Sequence, residues 1–255
     1  MSSNILGYHH LVAVKTASMK YYKDPEDAWN QMCLEARVME FLSGLPSFPG
    51  VYGVFREGNE CRMVQEFVGD NQTHTSTTLL NVMKTGRPTI TGLECITMTY
   101  EVAKGLHEMH TRGLLHNDVA ARNILIFHNG IRFTAKLTDF GMVSSIQKPR
   151  RSKKMSFKSE AEKDLYISKH PETPIEKIVH GASDSVQTDI FSLGYGIKVL
   201  GTAIGNIHMS AVGDACIRVN AGERPPLDYV ISTLDLVADC ERVTPVCQSI
   251  DRPLF

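Results

Sequence analysis

Asp118-Val119-Ala120-Ala121-Arg122-Asn123 runs into Ile124-Leu125-Ile126-Phe127-His128, then Asn129-Gly130, then Ile131-Arg132-Phe133-Thr134-Ala135-Lys136-Leu137 and Thr138-Asp139-Phe140-Gly141. Two apolar arms on either side of Asn-Gly predict a β-hairpin, because that dipeptide accepts the positive φ of the tightest turns. The second arm alternates, with Ile131, Phe133, Ala135 and Leu137 on one face. A two-residue turn at 129–130 sets residue 123 opposite 136 and residue 120 opposite 139. Asn123 and Asp139 then share the open end of the hairpin, and Asp118 is a short loop away. Two carboxylates and an amide suit a hard cation such as Mg²⁺, which takes few protein ligands and leaves room for phosphate oxygens. Spacing alone describes three solvated loop-end residues equally well.

Outward from the hairpin, the pattern divides in two. Upstream, Leu11 to Lys15 is a β-branched strand candidate, and Val51–Phe55 and Arg62–Phe67 are two more, separated by Gly58-Asn59. Between them Asp24-Pro25 reads as an N-cap followed by proline at the first helical position. Ala28, Met32, Met39 and Leu42 then fall on one helical face, and Gly44 and Pro46 stop the helix. Glu35 lies inside that apolar stripe. A carboxylate on an inward face is costly unless paired, and Lys15, at the end of the first strand, is its obvious partner. Residues 69–78 are polar and read as a connector.

Beyond the connector, Thr91-Gly92-Leu93-Glu94 is a capping box. It opens a long amphipathic helix through Ile96, Tyr100, Ala103, Leu106 and Met109, ending at Gly113. Residues 142–185 are polar, basic and irregular. Helical periodicity returns at Ile190–Leu200 and Leu227–Val237, with Arg224-Pro225-Pro226 as a turn. The expectation is an α+β protein with a small strand-rich N-terminal lobe and a mainly helical C-terminal lobe.

Composition narrows the function classes. The chain has 255 residues, 42% of them hydrophobic and 22% charged, enough to bury a core. A net charge of −1 argues against a nucleic-acid or membrane-surface binder. No apolar run approaches the roughly 18 residues of a membrane span, and Met1-Ser2-Ser3-Asn4 lacks a secretory pattern. Six cysteines without a C-x-x-C pair read as reduced thiols and point to a cytoplasmic protein.

Three short motifs and one residue pair now stand together. Leu115-His116-Asn117-Asp118-Val119-Ala120-Ala121-Arg122-Asn123 resembles the protein-kinase catalytic loop H-R-D-L-x-x-x-N. Thr138-Asp139-Phe140-Gly141 matches D-F-G after a hairpin, and Val12-Ala13-Val14-Lys15 matches V-A-I-K at a strand end. The Lys15–Glu35 pair is the fourth sign. Together they resemble the eukaryotic protein kinase domain from about residue 11 to about 237. The resemblance implies a bilobal kinase fold over 1–255, with a short N-lobe at 1–68, a hinge at 69–78 and a C-lobe at 79–255.

It also implies roles. Asp118 would orient the substrate hydroxyl, Asn123 and Asp139 would hold Mg²⁺, and Lys15, held by Glu35, would contact the ATP α/β-phosphates. Gln65 would be the gatekeeper, the backbone of Glu66 and Val68 would meet adenine, and Ala13 and Leu125 would cover its faces. Ala120-Ala121-Arg122 resembles tyrosine kinases, which adds Arg122 to the catalytic set. His170-Pro171-Glu172 resembles A-P-E, so Glu172 is expected to pair with Arg224, and Asp189 to brace the catalytic loop. A protein kinase using ATP and Mg²⁺ on a protein substrate, tyrosine-kinase-like more than serine/threonine, is the reading.

Three departures from the family pattern qualify it. Only 14 residues, with Gly7 alone among glycines, precede Lys15, so a first strand and a glycine-rich loop do not both fit. A pseudokinase acting as a binding or allosteric module is the alternative this raises. Asn117 stands where the family has arginine, so activity should not depend on a phosphorylated activation loop. Only 35 positions separate Asp189 from Arg224, little room for the usual intervening helix. The run Lys148-Pro149-Arg150-Arg151-Ser152-Lys153-Lys154 would draw acidic peptides, act as a nuclear localisation signal, or be a solvated loop.

Overall fold

The computed structural model describes the backbone of residues 2–5 and 8–255 and the side chains from residue 11 onward. Gly7, and with it the question of a phosphate-covering loop, lies outside the described residues. A four-stranded antiparallel sheet has the order β1-β2-β4-β3, with β1 Ser2–Ile5, β2 Tyr8–Thr16, β3 Val51–Glu57 and β4 Glu60–Glu66. A short strand thus precedes the Lys15 strand, and Lys15 pairs in register with Met63 of β4.

Helix α1, Pro25–Phe41, packs on this sheet. Asp24 accepts the Asp27 N–H at its N-terminus, and Ala28, Met32, Glu35, Ala36 and Met39 form its buried face. Gly44 turns the chain at φ +83°. The apolar stripe and its stops are those expected.

The second lobe is helical: α2 Leu79–Thr85, α3 Gly92–Thr111, α4 Glu160–Lys169, α5 Ile175–His180, α6 Val186–Ala203, α7 Ile207–Cys216 and α8 Leu227–Val243. The capping box of Thr91 and Glu94 is present. Short strand β5 Thr77–Thr78 joins the hairpin β7 Ile124–His128 and β8 Phe133–Leu137, while β6 Leu114–Leu115 pairs with β9 Ser144–Ser145. One connected core runs through both lobes, from Met32 and Met39 through Leu106, Leu137 and Phe140 to Ile197 and Leu234.

Two expectations fail here. The hairpin turn has four residues, not two: His128 pairs with Phe133 and Ile124 with Leu137. Asn129 causes this, because its side-chain oxygen accepts both the Ile131 and Arg132 N–H groups at 3.0 Å and its own N–H reaches Arg132 O. Ile131 leaves the strand and is 88% exposed. A shift of two preserves the faces, and at the open end the Thr138 N–H donates to Asn123 O at 2.9 Å, one residue before Asp139. Residues 142–185 are also not wholly irregular. Helix α4 is capped by Ser159 but buries none of its residues, and α5 is too short for a period.

The span from Asp189 to Arg224 holds one ten-residue helix, α7, which folds straight back onto α6 through Gly205 at φ +71°. The close crossing depends on glycine. A Cβ at Gly194 would lie 2.1 Å from Cys216, and one at Gly201 would lie 2.6 Å from the Ser210 backbone.

Candidate active site

Lys15 ends an apolar strand, and α1 turns Glu35 towards it. Lys15 Nζ lies 2.7 and 2.9 Å from the two Glu35 oxygens and 3.1 Å from Asp139 Oδ1. Burial opposes the Lys15 charge most strongly, but Glu35 and Asp139, by charge and hydrogen bonding together, outweigh it and hold its pKa above the ordinary value. Tyr22, between β2 and α1, lies half-buried beside the same charges. Burial pushes its phenol up, Lys15 opposes this, and Glu35 and Asp139 add to it. Nothing in its sequence neighbourhood signals that position.

Asp118 follows β6 and Asn123 precedes β7. The Asn123 amide nitrogen donates to Asp118 O at 2.8 Å and Asp118 Oδ2 at 2.7 Å. Arg122 donates to the other Asp118 oxygen and, at 3.2 Å, to Glu172 Oε1. The Thr138 N–H donates to Asn123 O at 2.9 Å, which ties the loop to the residue before Asp139. The structure therefore brings together Lys15, Glu35, Asp118, Arg122, Asn123 and Asp139.

The loop is held from below. Asp189, almost wholly buried at the start of α6, accepts the His116 N–H at 2.9 Å and the Asn117 N–H at 2.8 Å, and bonds His110 Nε2 at 2.9 Å. This is the bracing role expected of it. His116 is fully buried, and burial lowers its pKa, with Asp189 and Asp118 opposing. Its Nε2 faces Thr138 O and its Nδ1 faces the Asp118 N–H, an assignment satisfied by the neutral Nε2–H tautomer. Phe140, beside it, is buried edge-on to Phe48 at 5.7 Å.

Asn117 adopts φ +67° and donates its amide to Met142 O at 2.8 Å and Ser144 Oγ at 2.9 Å. Glu172 does not pair with Arg224. The buried Arg224 guanidinium forms its ion pair with Glu176 Oε1 at 2.7 Å. Pro174 starts α5 two residues before Glu176, and this helix turns Glu176, not Glu172, towards Arg224.

Towards the end of β4, Ala13 pairs in register with Gln65. The Glu66 N–H is spent on Gly50 O, and its carboxylate holds Lys136 Nζ at 2.6 Å. The Val68 carbonyl accepts the Ser76 hydroxyl at 2.7 Å. Ala13, Gln65 and Leu125 are half-buried, and Leu125 pairs with Thr78 and Lys136.

Among the described residues no three His, Cys, Asp or Glu side chains gather into a metal cage. The Asp139–Asn123 pair is smaller and offers oxygen only. Asp139 gives one oxygen to Lys15 and its side chain is 47% exposed, and Asn123 spends its nitrogen on Asp118 and so keeps its carbonyl oxygen. That donor set fits Mg²⁺, which binds through one or two carboxylates together with substrate phosphates.

A family model for protein tyrosine and serine/threonine kinases matches residues 6–200. Human myosin light chain kinase 3 is 27% identical over 183 residues, 72% of this chain and 19% of that protein. The probable serine/threonine-protein kinase PknB of Lactococcus lactis is 25% identical over 184 residues, 72% of this chain and 26% of its own length. The membrane-associated tyrosine- and threonine-specific cdc2-inhibitory kinase wee-1.1 of Caenorhabditis elegans is 30% identical over 127 residues, 49% of this chain and 24% of its own. The chain thus spans about a fifth to a quarter of the length of these three relatives.

Proposed function

The chain belongs to the protein tyrosine and serine/threonine kinase family, and we propose that it transfers the γ-phosphoryl group of ATP to a protein hydroxyl, with tyrosine favoured over serine and threonine. The observation that carries this reading is the Lys15–Glu35–Asp139 cluster set beside the Asp118–Arg122–Asn123 loop. Phosphoryl transfer asks little covalent chemistry of a protein and much positioning and charge neutralisation.

In this reading Lys15 binds the α/β-phosphates and Glu35 fixes its ammonium. Asp139 and Asn123 supply the oxygen ligands for Mg²⁺, which when bound neutralises charge on the phosphates. Asp118 orients the acceptor hydroxyl and takes its proton, and Arg122 fixes the Asp118 carboxylate. Adenine lies between Ala13 and Leu125, its edge on the Glu66 carbonyl and the Val68 N–H, with Gln65 behind it. Ala120-Ala121-Arg122 supports a tyrosine acceptor. The alternative is a pseudokinase that serves as a binding or allosteric module. An intact, ion-paired lysine and an aspartate held at both oxygens favour the enzyme.

Mg-ATP phosphotransfer to a peptide library, with Asp118→Asn as control, tests the proposal. Phosphotyrosine on the product, lost in the control, is the expected result. No transfer, together with an unchanged melting temperature in Mg-ATP, would sink it.

A further inference from the structure

Residues 148–169 carry eight basic and three acidic side chains in a chain whose net charge is −1. Only Lys163 among those eight forms an ion pair among the described residues, with Glu160. Lys148, Arg150, Arg151, Lys153, Lys154, Lys158 and Lys169 are exposed. Glu160 within the segment is paired with Lys163, Glu162 accepts the Lys158 N–H, and Asp164 is exposed, while the carboxylates beyond it are committed: Glu172 to Arg122, Glu176 to Arg224, Asp184 to Lys177, and Asp189 to the catalytic loop.

This positive surface flanks the reacting centre. On one side Arg150 reaches Met142 Sδ at 3.2 Å, and Met142 O takes the amide of Asn117, next to Asp118. On the other a pocket of about 380 Å³ lies between α2, the catalytic loop and α6. Arg122 and Lys169 line it with the hydroxyl-bearing Ser192 and Tyr195; its one side-chain carboxylate is Glu172, and Phe255 also lies on its wall. Arg122 itself bridges from that pocket to Asp118.

We propose that this pocket and the 148–154 run select acidic peptide substrates, an acidic side chain beside the acceptor entering the pocket towards Lys169 and Arg122. The proposal rests on the kinase reading above and names its substrate class. A protein acceptor is favoured over another polyanion because the surface flanks the acceptor-orienting Asp118. Uncommitted cations there steer an acidic chain towards that residue and raise its encounter rate.

The test uses matched peptides with one tyrosine or serine flanked by glutamate, glutamine or lysine. Fluorescence anisotropy reads binding without requiring phosphate transfer, at about 50 and about 300 mM salt. The glutamate peptide should bind about tenfold more tightly than the glutamine peptide at low salt, with the advantage shrinking at high salt. Lys169→Glu, and separately K153E/K154E, should erase that ratio without lowering the melting temperature. The ratio of kcat/KM values between the peptides should follow. Equal binding of glutamate and glutamine peptides overturns the proposal. So does tighter binding of a short DNA duplex or of phosphatidylserine vesicles than of the acidic peptide. Peptide discrimination that survives with no phosphate transfer supports this surface and counts against the kinase reading alone.

Discussion

Lys15 Nζ and Glu35 Oε1 are 2.7 Å apart, with the Glu35 side chain 8% exposed and that of Lys15 37% exposed. The carboxylate is therefore the more deeply buried member, and it depends on the lysine. Lys15→Met should destabilise the fold by about 2 kcal/mol, because it leaves a buried charge uncompensated. A second substitution, Glu35→Leu, should return most of that stability while phosphotransfer stays lost. Urea unfolding of the two variants checks this. Recovery of activity in the double variant would remove Lys15 from the phosphate site. The raised Lys15 pKa keeps the pair intact through neutral pH, and its contribution is lost only as pH climbs through that raised value, above 10.5.

Arg224 and Glu172 have different partners, Glu176 and Arg122, and should respond differently to substitution. Arg224 is fully buried, donates to Arg218 O and Gln187 O, and lies 4.9 Å over the Phe191 ring. Glu176→Gln should cost about 3 kcal/mol in urea unfolding, the penalty for leaving the guanidinium without its counter-charge. Glu172→Gln acts on a half-exposed pair and should cost no more than about 0.5 kcal/mol. Its effect should appear in kcat, because it frees Arg122 from one of its two anchors. Equal destabilisation by the two variants would contradict the assignment.

His116 makes stability depend on pH in one direction. Burial, its largest influence, lowers its folded-state pKa below the ordinary 6.5, so as pH falls the unfolded chain takes up this proton first. The stability that neutral His116 contributes is full above 6.5 and is lost as pH falls from there through the lowered folded value. Denaturant midpoints measured from pH 7.5 to pH 5 should fall more steeply for the wild type than for His116→Phe. Parallel curves would show that another group carries the dependence.

The parts of this molecule legible in its sequence are those where burial imposes a period. Helices α1, α3, α6 and α8 each present an inward face, and Glu35 was conspicuous because it interrupts one. The Asp118–Asn123–Asp139 convergence was also legible, since a hairpin fixes its open end even when the turn length is misjudged. Helix α4 was not legible, because it buries no side chain and so leaves no pattern. The Arg224 partner was not either. His170-Pro171-Glu172 and the Thr173-Pro174 start of α5 both place a proline near a glutamate, and only the direction of α5 decides between them. Tyr22 reaches the Lys15 cluster through the path of a loop, which no spacing rule encodes.

Asn117 gives the activation segment a fixed start without phosphate. Its amide binds Met142 O and Ser144 Oγ, β6 pairs with β9, and the Ile146 N–H donates to Gly113 O at 2.8 Å. These bonds hold the segment after Asp139 by neutral contacts, and an asparagine offers no bidentate cationic site for a phosphate. A variant with Ser152→Ala, Ser156→Ala, Ser159→Ala and Tyr166→Phe should therefore keep kcat/KM within about threefold, a change below about 0.7 kcal/mol in barrier. Asn117→Ala should instead lower kcat and speed tryptic cleavage within 148–154, because it releases both amide bonds. Loss of activity in the fourfold variant, restored by phosphomimetic glutamates, would show that the switch operates after all.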